Sequence, residues 1–329
     1  MKLSVAEATA LAVQVLTRHG MSAQCAQMTA DHLVDAALAG HEFASLARLP
    51  FLTQQLQGRA PAGDITVERE TLTSALIDGH DNIGYAVSVV AMDKAIAICK
   101  KSGMAMVSAK NTWASGRLAY YVERAARQGF IGIHAVNGPA RTAPFGGMDT
   151  LLGTNPIAFA FPSNGEPVII DMSMSAITHG SAGLAKAKGE TLAEGVAIDS
   201  AGHPTTDPDA ALRGAFRTWG GHRGYGISLA VQMLGMLAGS GPVVRDEHHY
   251  GLCFMVIDPA TVLPGGDYLT RVSELRQIIN ASRPAPGYDK VRMPGEKSQA
   301  HQRQAKQAGA KATIQVNDSV YENIRKLLI

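Results

Sequence analysis

Apolar side chains recur at helical spacing through the first sixty residues. Residues 4–19 are the clearest case: Ser4 and Glu7 make a capping box at the start of the run, and Gly20 stops it. Residues 22–39 read the same way and end at Gly40, and a third helix is expected over 45–57 with Pro50 early in it. Loops this short predict helices packed as neighbours, a helical arm. Pro61-Ala62-Gly63-Asp64 then breaks the period. Beyond it, Leu72–Asp78, Met104–Ala109 and Phe130–Val136 read as strands, alternating with helices over Tyr85–Lys101 and Gly116–Gln128. That order favours a sheet covered by helices. Residues 137–175 are loop-rich, with β-like runs at Ile157–Phe161 and Pro167–Ile170. Residues 176–221 hold too much Gly, Ala, Asp and Pro to show a period, which leaves an ordered or a mobile flap equally open. A strong helix is expected over about 224–238, a buried strand over Leu252–Ile257, and helices near 266–282 and 297–308. A last helix is opened by Asn317 or Asp318.

Composition narrows the class. The 329 residues suffice for about two domains, or one large one, with a core that needs no disulfides. With 46% hydrophobic and 18% charged residues the chain reads as globular. A net charge of +2 offers no polyanion-binding surface, so no nucleic-acid partner is expected. Cys25, Cys99 and Cys253 are scattered and form no CxxC pair, which fits buried thiols in a reducing cytosol. No leader pattern and no membrane span is evident, and the expected location is cytoplasmic. The expected divisions are the arm at 1–60, packed with the C-terminal helices; an α/β body at 61–221; and 222–329, completing the site.

Candidate chemistry is sparse. The Gly-x-Gly-x-x-Gly fingerprint between a strand and a helix is missing, as are a P-loop and a Gly-x-Ser-x-Gly elbow. Gly220–Gly226, with His222 and Arg223, is either an anion-binding helix start or simply a glycine-rich one. The run Arg245-Asp246-Glu247-His248-His249 lacks metal-ligand spacing and reads as a solvated charged loop; no metal site is expected. Met104, Met106, Met233 and Met236 read as core. Arg48 and Arg141 are each either surface charges or clamps for a substrate carboxylate.

Several segments taken in order resemble one family. They are Asp78-Gly79 with Gly84, Ala143-Pro144-Phe145-Gly146-Gly147, Leu152-Gly153-Thr154-Asn155-Pro156, Ile170-Asp171-Met172-Ser173-Met174-Ser175, Gly202–Pro208, Gly221-His222-Arg223-Gly224-Tyr225 and Arg292-Met293-Pro294-Gly295-Glu296. Together they resemble the type-2 malate/L-lactate dehydrogenase family, whose relatives include ureidoglycolate, sulfolactate and diketogulonate dehydrogenases and cyclic imino acid reductases. The resemblance implies a non-Rossmann, mixed-sheet α/β fold with an N-terminal helical arm, a homodimer, and NADPH or NADH as cofactor. NADPH is slightly preferred because reductive biosynthesis uses it. Carried over, cofactor contacts fall on Val168, Ile169, Ile170, Asp171, Met172, Ser173, Met174, His222, Arg223, Gly224, Pro294, Gly295 and Glu296. Arg48 matches the arginine that holds the substrate carboxylate, and Asp171 the carboxylate that supports the catalytic histidine. The substrate surroundings are Phe43, Ala44, Trp113, Ala114, Arg141 and Thr154.

The departures are as informative. The family reads Gly-x-x-Ser-His-Gly-x-x-Arg where this chain reads Gly40-His41-Glu42-Phe43-Ala44-Ser45-Leu46-Ala47-Arg48, so Ala44 stands at the acid/base position. In Asn111-Thr112-Trp113-Ala114-Ser115-Gly116, Ala114 stands at a second family histidine. A positioned acid contributes about 10²–10⁴-fold, or roughly 3–5 kcal/mol. A ketone needs that proton when hydride arrives, whereas an iminium already carries it. The expected enzyme is therefore an NAD(P)H-dependent reductase of an apolar imine, cyclic imino acid or 2-oxo acid. Two other readings stay open. One is a 2-oxo acid dehydrogenase with His41, His179 or Tyr120 as substitute donor. The other is a silent family member that binds or regulates.

Overall fold

A computed structural model describes residues 1–329 with the exception of Gly266. The arm starts with a short strand missed by periodicity, Lys2–Ser4 (β1), followed by Val5–Arg18 (α1) and Ala23–Leu38 (α2). The capping box is formed: Ser4 N donates to Glu7 Oε2 at 2.7 Å, and Glu7 N donates to Ser4 Oγ at 3.2 Å. The third helix departs from expectation. Two 3₁₀ turns, Glu42–Ala44 and Leu46–Arg48, precede a shorter helix, Leu49–Leu56 (α3), with Pro50 in its first turn. Proline supplies no N–H and suits that first turn, so the helix starts there and the chain before it is free to turn tightly.

Thr66–Glu70 (β2) lies outside the expected strands; all five residues are exposed, so the strand carries no apolar alternation. Ser74–Ile83 (β3), Gly84–Ser102 (α4), Met104–Trp113 (β4), Ala119–Ala126 (α5) and Ile131–Asn137 (β5) follow the α/β reading. Next come Ile157–Phe161 (β6) and Val168–Met172 (β7). The aperiodic 176–221 stretch folds into short elements. It holds His179–Lys188 (α6), Ala197–Ile198 (β8), Pro204–Thr205 (β9), Pro208–Arg213 (α7) and Ala215–Phe216 (β10), gathered on a small core of Ala182, Leu192, Ala197, Ala211 and Phe216. The remainder is His222–Met236 (α8), Gly251–Ile257 (β11), Asp267–Asn280 (α9), Glu296–Ala308 (α10), Thr313–Gln315 (β12) and Asp318–Lys326 (α11).

Seven strands form the main sheet in the order β2-β3-β4-β11-β5-β6-β7. Only β3 and β4 run parallel, joined through α4; the other neighbours are antiparallel, which excludes a Rossmann sheet. One face carries α4 and α5 over a core that includes Ile77, Val107, Tyr121, Val122 and Phe254. The other face carries α8, packed through Val231 against Ala135, Ile157 and Met174. A second core lies under the arm, where Leu16, Leu33, Leu49 and Leu52 meet Ile314, Val316 and Ile324, and β1 pairs with β12.

The expectation of core methionines fails: Met104, Met233 and Met236 are exposed, and Met106 is only half-buried. Helix α8 is apolar on several sides, yet it buries its small and polar side, Gly224, Ser228, Val231, Gln232 and Gly235. Close approach to β5 and β11 selects those small residues and leaves Ile227, Met233 and Leu237 outside.

Two fully buried histidines make a pH prediction. His32 accepts the Arg117 backbone N–H at Nε2 (2.9 Å) within a cage of Tyr85, Tyr120 and Tyr121, and burial holds its pKa well below the usual value. His134 stacks on Phe254 at 3.9 Å, and burial pushes it down to about 3. With the folded value below the unfolded one, their contribution is whole above about pH 6.5. It declines as pH falls, because only the unfolded chain takes up the protons. Urea unfolding should lose about 2.4 kcal/mol between pH 6 and pH 5 from these two rings. A slope below one proton would refute neutral burial.

Candidate active site

A cleft of about 420 Å³ opens where four pieces of the fold meet. The 3₁₀ turns before α3 bring His41, Phe43, Ala44 and Arg48; the β4–α5 connection brings Ala114 to Ala119; β7 brings Ile169 and Asp171; and the start of α6 brings Thr178, His179 and Gly180. Helix α10 closes one end with Ser298, Gln299 and Gln302. Gln299 fixes that helix by donating from Nε2 to the Pro167 carbonyl at 2.8 Å.

The charged groups divide into paired and unpaired. Arg117 is held by Asp35 at 2.5 Å, and Arg141 by Glu247. Arg48 has no carboxylate within ion-pair distance among the described residues; its guanidinium lies 4.2 Å over the Phe51 ring, beside the Tyr85 hydroxyl. Asp171 is exposed to the open cleft near the end of β7, and its Oδ2 accepts the Ala119 backbone N–H at 2.8 Å. The protein packed around the carboxyl raises its pKa by desolvation, while the Ala119 N–H, Arg117 and the Leu118 N–H pull it down. It therefore caps the start of α5; no histidine is bonded to it.

The three candidate donors are placed very differently. His41 lines the cleft, but its Nε2 is bonded to Ser298 Oγ at 2.9 Å and burial lowers its pKa. His179 lines the cleft at the first turn of α6; burial, then Arg141 and Arg48, push it down to about 3. Tyr120 packs 4.7 Å from His32 and lines a neighbouring hollow of about 390 Å³ instead.

Among the substrate candidates, Phe43, Ala44, Ala114, Arg141 and Thr154 line the cleft. Ala114 does so with φ +50°, a left-handed backbone that turns the chain out of β4. Trp113 does not line it. It is 1% exposed in the arm core, donates from Nε1 to the Asp81 carbonyl at 2.9 Å, and stacks under Arg59 at 4.4 Å. The cofactor candidates are thinned by the pleat. Of Val168 to Met174, only Ile169, Asp171 and Ser173 line the cleft, while Met172 and Met174 point toward the α8 core. Of Pro294, Gly295 and Glu296, only Gly295 lines it, passing so close that a Cβ would lie 3.0 Å from the Ile169 carbonyl. His222, Arg223 and Gly224 open α8 outside the cleft.

The charged loop needs correction. Glu247 and Tyr250 are cleft residues. Asp81 and Arg59 anchor the loop through His248, and Arg141 draws the Glu247 carboxylate inward, so a run that looks solvated turns one acid into the site. Periodicity carries no signal for this.

Comparison with known proteins places the chain. The family model described as malate/L-lactate dehydrogenase matches residues 3–325. The L-sulfolactate dehydrogenase of Methanocaldococcus jannaschii is 33% identical over 96% of this chain and 93% of its own length. The (2R)-3-sulfolactate dehydrogenase (NADP(+)) of Chromohalobacter salexigens is 32% identical over 92% of each chain. Among solved structures, the delta1-piperideine-2-carboxylate reductase from Pseudomonas syringae superposes with a TM-score of 0.86 at 25% identity, covering 99% of both chains.

Proposed function

Because this chain belongs to the malate/L-lactate dehydrogenase family and is an NAD(P)-dependent oxidoreductase, we propose that its cleft reduces an imine, a cyclic imino acid or a 2-oxo acid with a relatively apolar body. One observation carries the choice. Arg48, the unpaired cation, stands beside a wall of Phe43, Ala44, Phe51, Ala114 and Leu118, with methyl groups at both positions where the family pattern has a histidine. Such a site anchors one carboxylate and keeps the rest of the substrate dry.

Arg48 binds the carboxylate and, stacked on Phe51, sets its direction. The apolar wall excludes water from the reacting carbon and strengthens that ion pair. For an imine the proton arrives with the substrate as iminium, so no acid is needed at transfer. A 2-oxo acid would leave an alkoxide facing His41, tied to Ser298, and His179, held neutral. The residues suit a nicotinamide cofactor: Arg117 has a buried Nε without a partner at the cleft, and Ile169, Asp171, Ser173 and Gly295 form an open edge beside it. When bound, the cofactor supplies the hydride. The adjoining hollow shares Glu123 and Gln302 with the cleft and carries Lys306, a basic group outside any ion pair among the described residues, which favours NADPH; Arg124 beside it is taken up by Asp93.

The test is loss of reduced-nicotinamide absorbance with NADPH and NADH against pyruvate, oxaloacetate, larger apolar 2-oxo acids, and five- and six-membered cyclic imino acids. Cyclic imino acids or bulky apolar acids should exceed pyruvate by at least about 10²-fold in kcat/KM, the size of a missing acid. Pyruvate or oxaloacetate as the best substrate would overturn the reading.

A further inference from the structure

We propose that Glu247 is a specificity-determining residue: by neutralising Arg141 inside the cleft, it restricts the site to substrates with a single anionic group. This rests on the reading that the cleft receives the substrate. The Glu247 side chain is only 17% exposed, and Arg141 Nη2 donates to its Oε1. Its other oxygen accepts the Tyr250 hydroxyl at 2.6 Å. Burial, and then Glu247 itself, keep that hydroxyl firmly protonated and donating. The backbone is fixed as well: Arg59 Nη2 donates to the Glu247 carbonyl at 3.4 Å, and Arg141 N donates to the Leu152 carbonyl at 2.8 Å. The acid is thus a built part of the wall.

Its effect follows from charge. Arg48 and Arg141 both act on the His179 imidazole, so they bound the same part of the cleft. Without Glu247 they would be two cations suited to a substrate with two anionic groups, a dicarboxylate or a sulfonated carboxylate. With it, one cation is left. A second substrate anion at Arg141 would have to sit against the Glu247 carboxylate or displace it, and like charges brought together in a partly dry site are disfavoured strongly. A neutral or cationic remainder meets no such opposition.

The experiment compares ligands that differ by one carboxylate. Calorimetric titration with L-malate and L-lactate, with and without NADP⁺, gives a dissociation-constant ratio that does not depend on turnover; kcat/KM for oxaloacetate and pyruvate gives the kinetic one. Wild type should favour the monoanion by at least tenfold. Glu247→Gln keeps the shape and removes the charge, and should shift both ratios at least tenfold toward the dianion. Glu247→Gln/Arg141→Gln should lose that gain. Tighter binding of malate than lactate by wild type overturns the proposal even if the variants do not fold, as does an unchanged ratio in folded Glu247→Gln. Selective monoanion binding without nicotinamide-dependent turnover of any substrate would instead sink the reductase reading and leave the Glu247 assignment standing.

Discussion

Arg48→Gln should lower kcat/KM for any carboxylate substrate by tens- to thousands-fold. Losing one member of a dry, hydrogen-bonded charge pair costs about 2–5 kcal/mol. The effect should fall mainly on KM, because the carboxylate is held equally before and during transfer. Arg48→Lys should recover only part of it. A lysine ammonium offers a point charge without the planar face that lies on Phe51 at 4.2 Å, so the orientation of the anchor is lost even where the charge is kept. Fold and stability should barely change, since Arg48 has no carboxylate partner to orphan. Measured kcat/KM within threefold of wild type for Arg48→Gln would remove Arg48 from the site.

The second large effect concerns two glycines on one helix. Gly224→Ala should destabilise the protein by about 3 kcal/mol, since a Cβ there would lie 1.8 Å from the Trp219 carbonyl oxygen, and neither backbone segment can yield cheaply. Gly226→Ala, two residues on, has nothing within 4 Å of its Cβ and should stabilise by about 0.5–1 kcal/mol through helix propensity alone. Urea unfolding without cofactor separates this from a phosphate-approach role. A glycine kept for phosphate approach would tolerate alanine in the unliganded protein. Gly224 is kept for contact with its own loop.

How much of this was readable from sequence varied with local physics. The capping box at Ser4 and the apolar strand Gly251–Ile257 declare themselves because their signals are local. Helix α6 does not: it buries only Ala182, and no amphipathic stripe arises from one position. Strand β2 is invisible because it is an exposed edge held by pairing with β3. In the site, ordered motifs located β7 and Gly295, but a contiguous motif cannot say which side of the pleat each residue takes. Trp113 and Ala114 are adjacent, yet the left-handed turn at Ala114 sends one into the arm core and the other to the cleft. Glu247 is set by partners roughly a hundred residues or more away in sequence, Arg141 and Arg59, and no local pattern encodes such a closure.

The pairing of β1 with β12 and the shared core of Leu16, Leu33 and Ile324 also bear on synthesis. The arm leaves the ribosome early, but residues 313–324, which complete its core, emerge more than 250 residues later. At about 5–20 residues per second the arm waits on the order of ten to fifty seconds with its apolar face uncovered. Contacts so distant along the chain also close slowly once available. The nascent arm, and with it the turn carrying Arg48, is the segment expected to engage chaperones, and the candidate cleft should be among the last features to form.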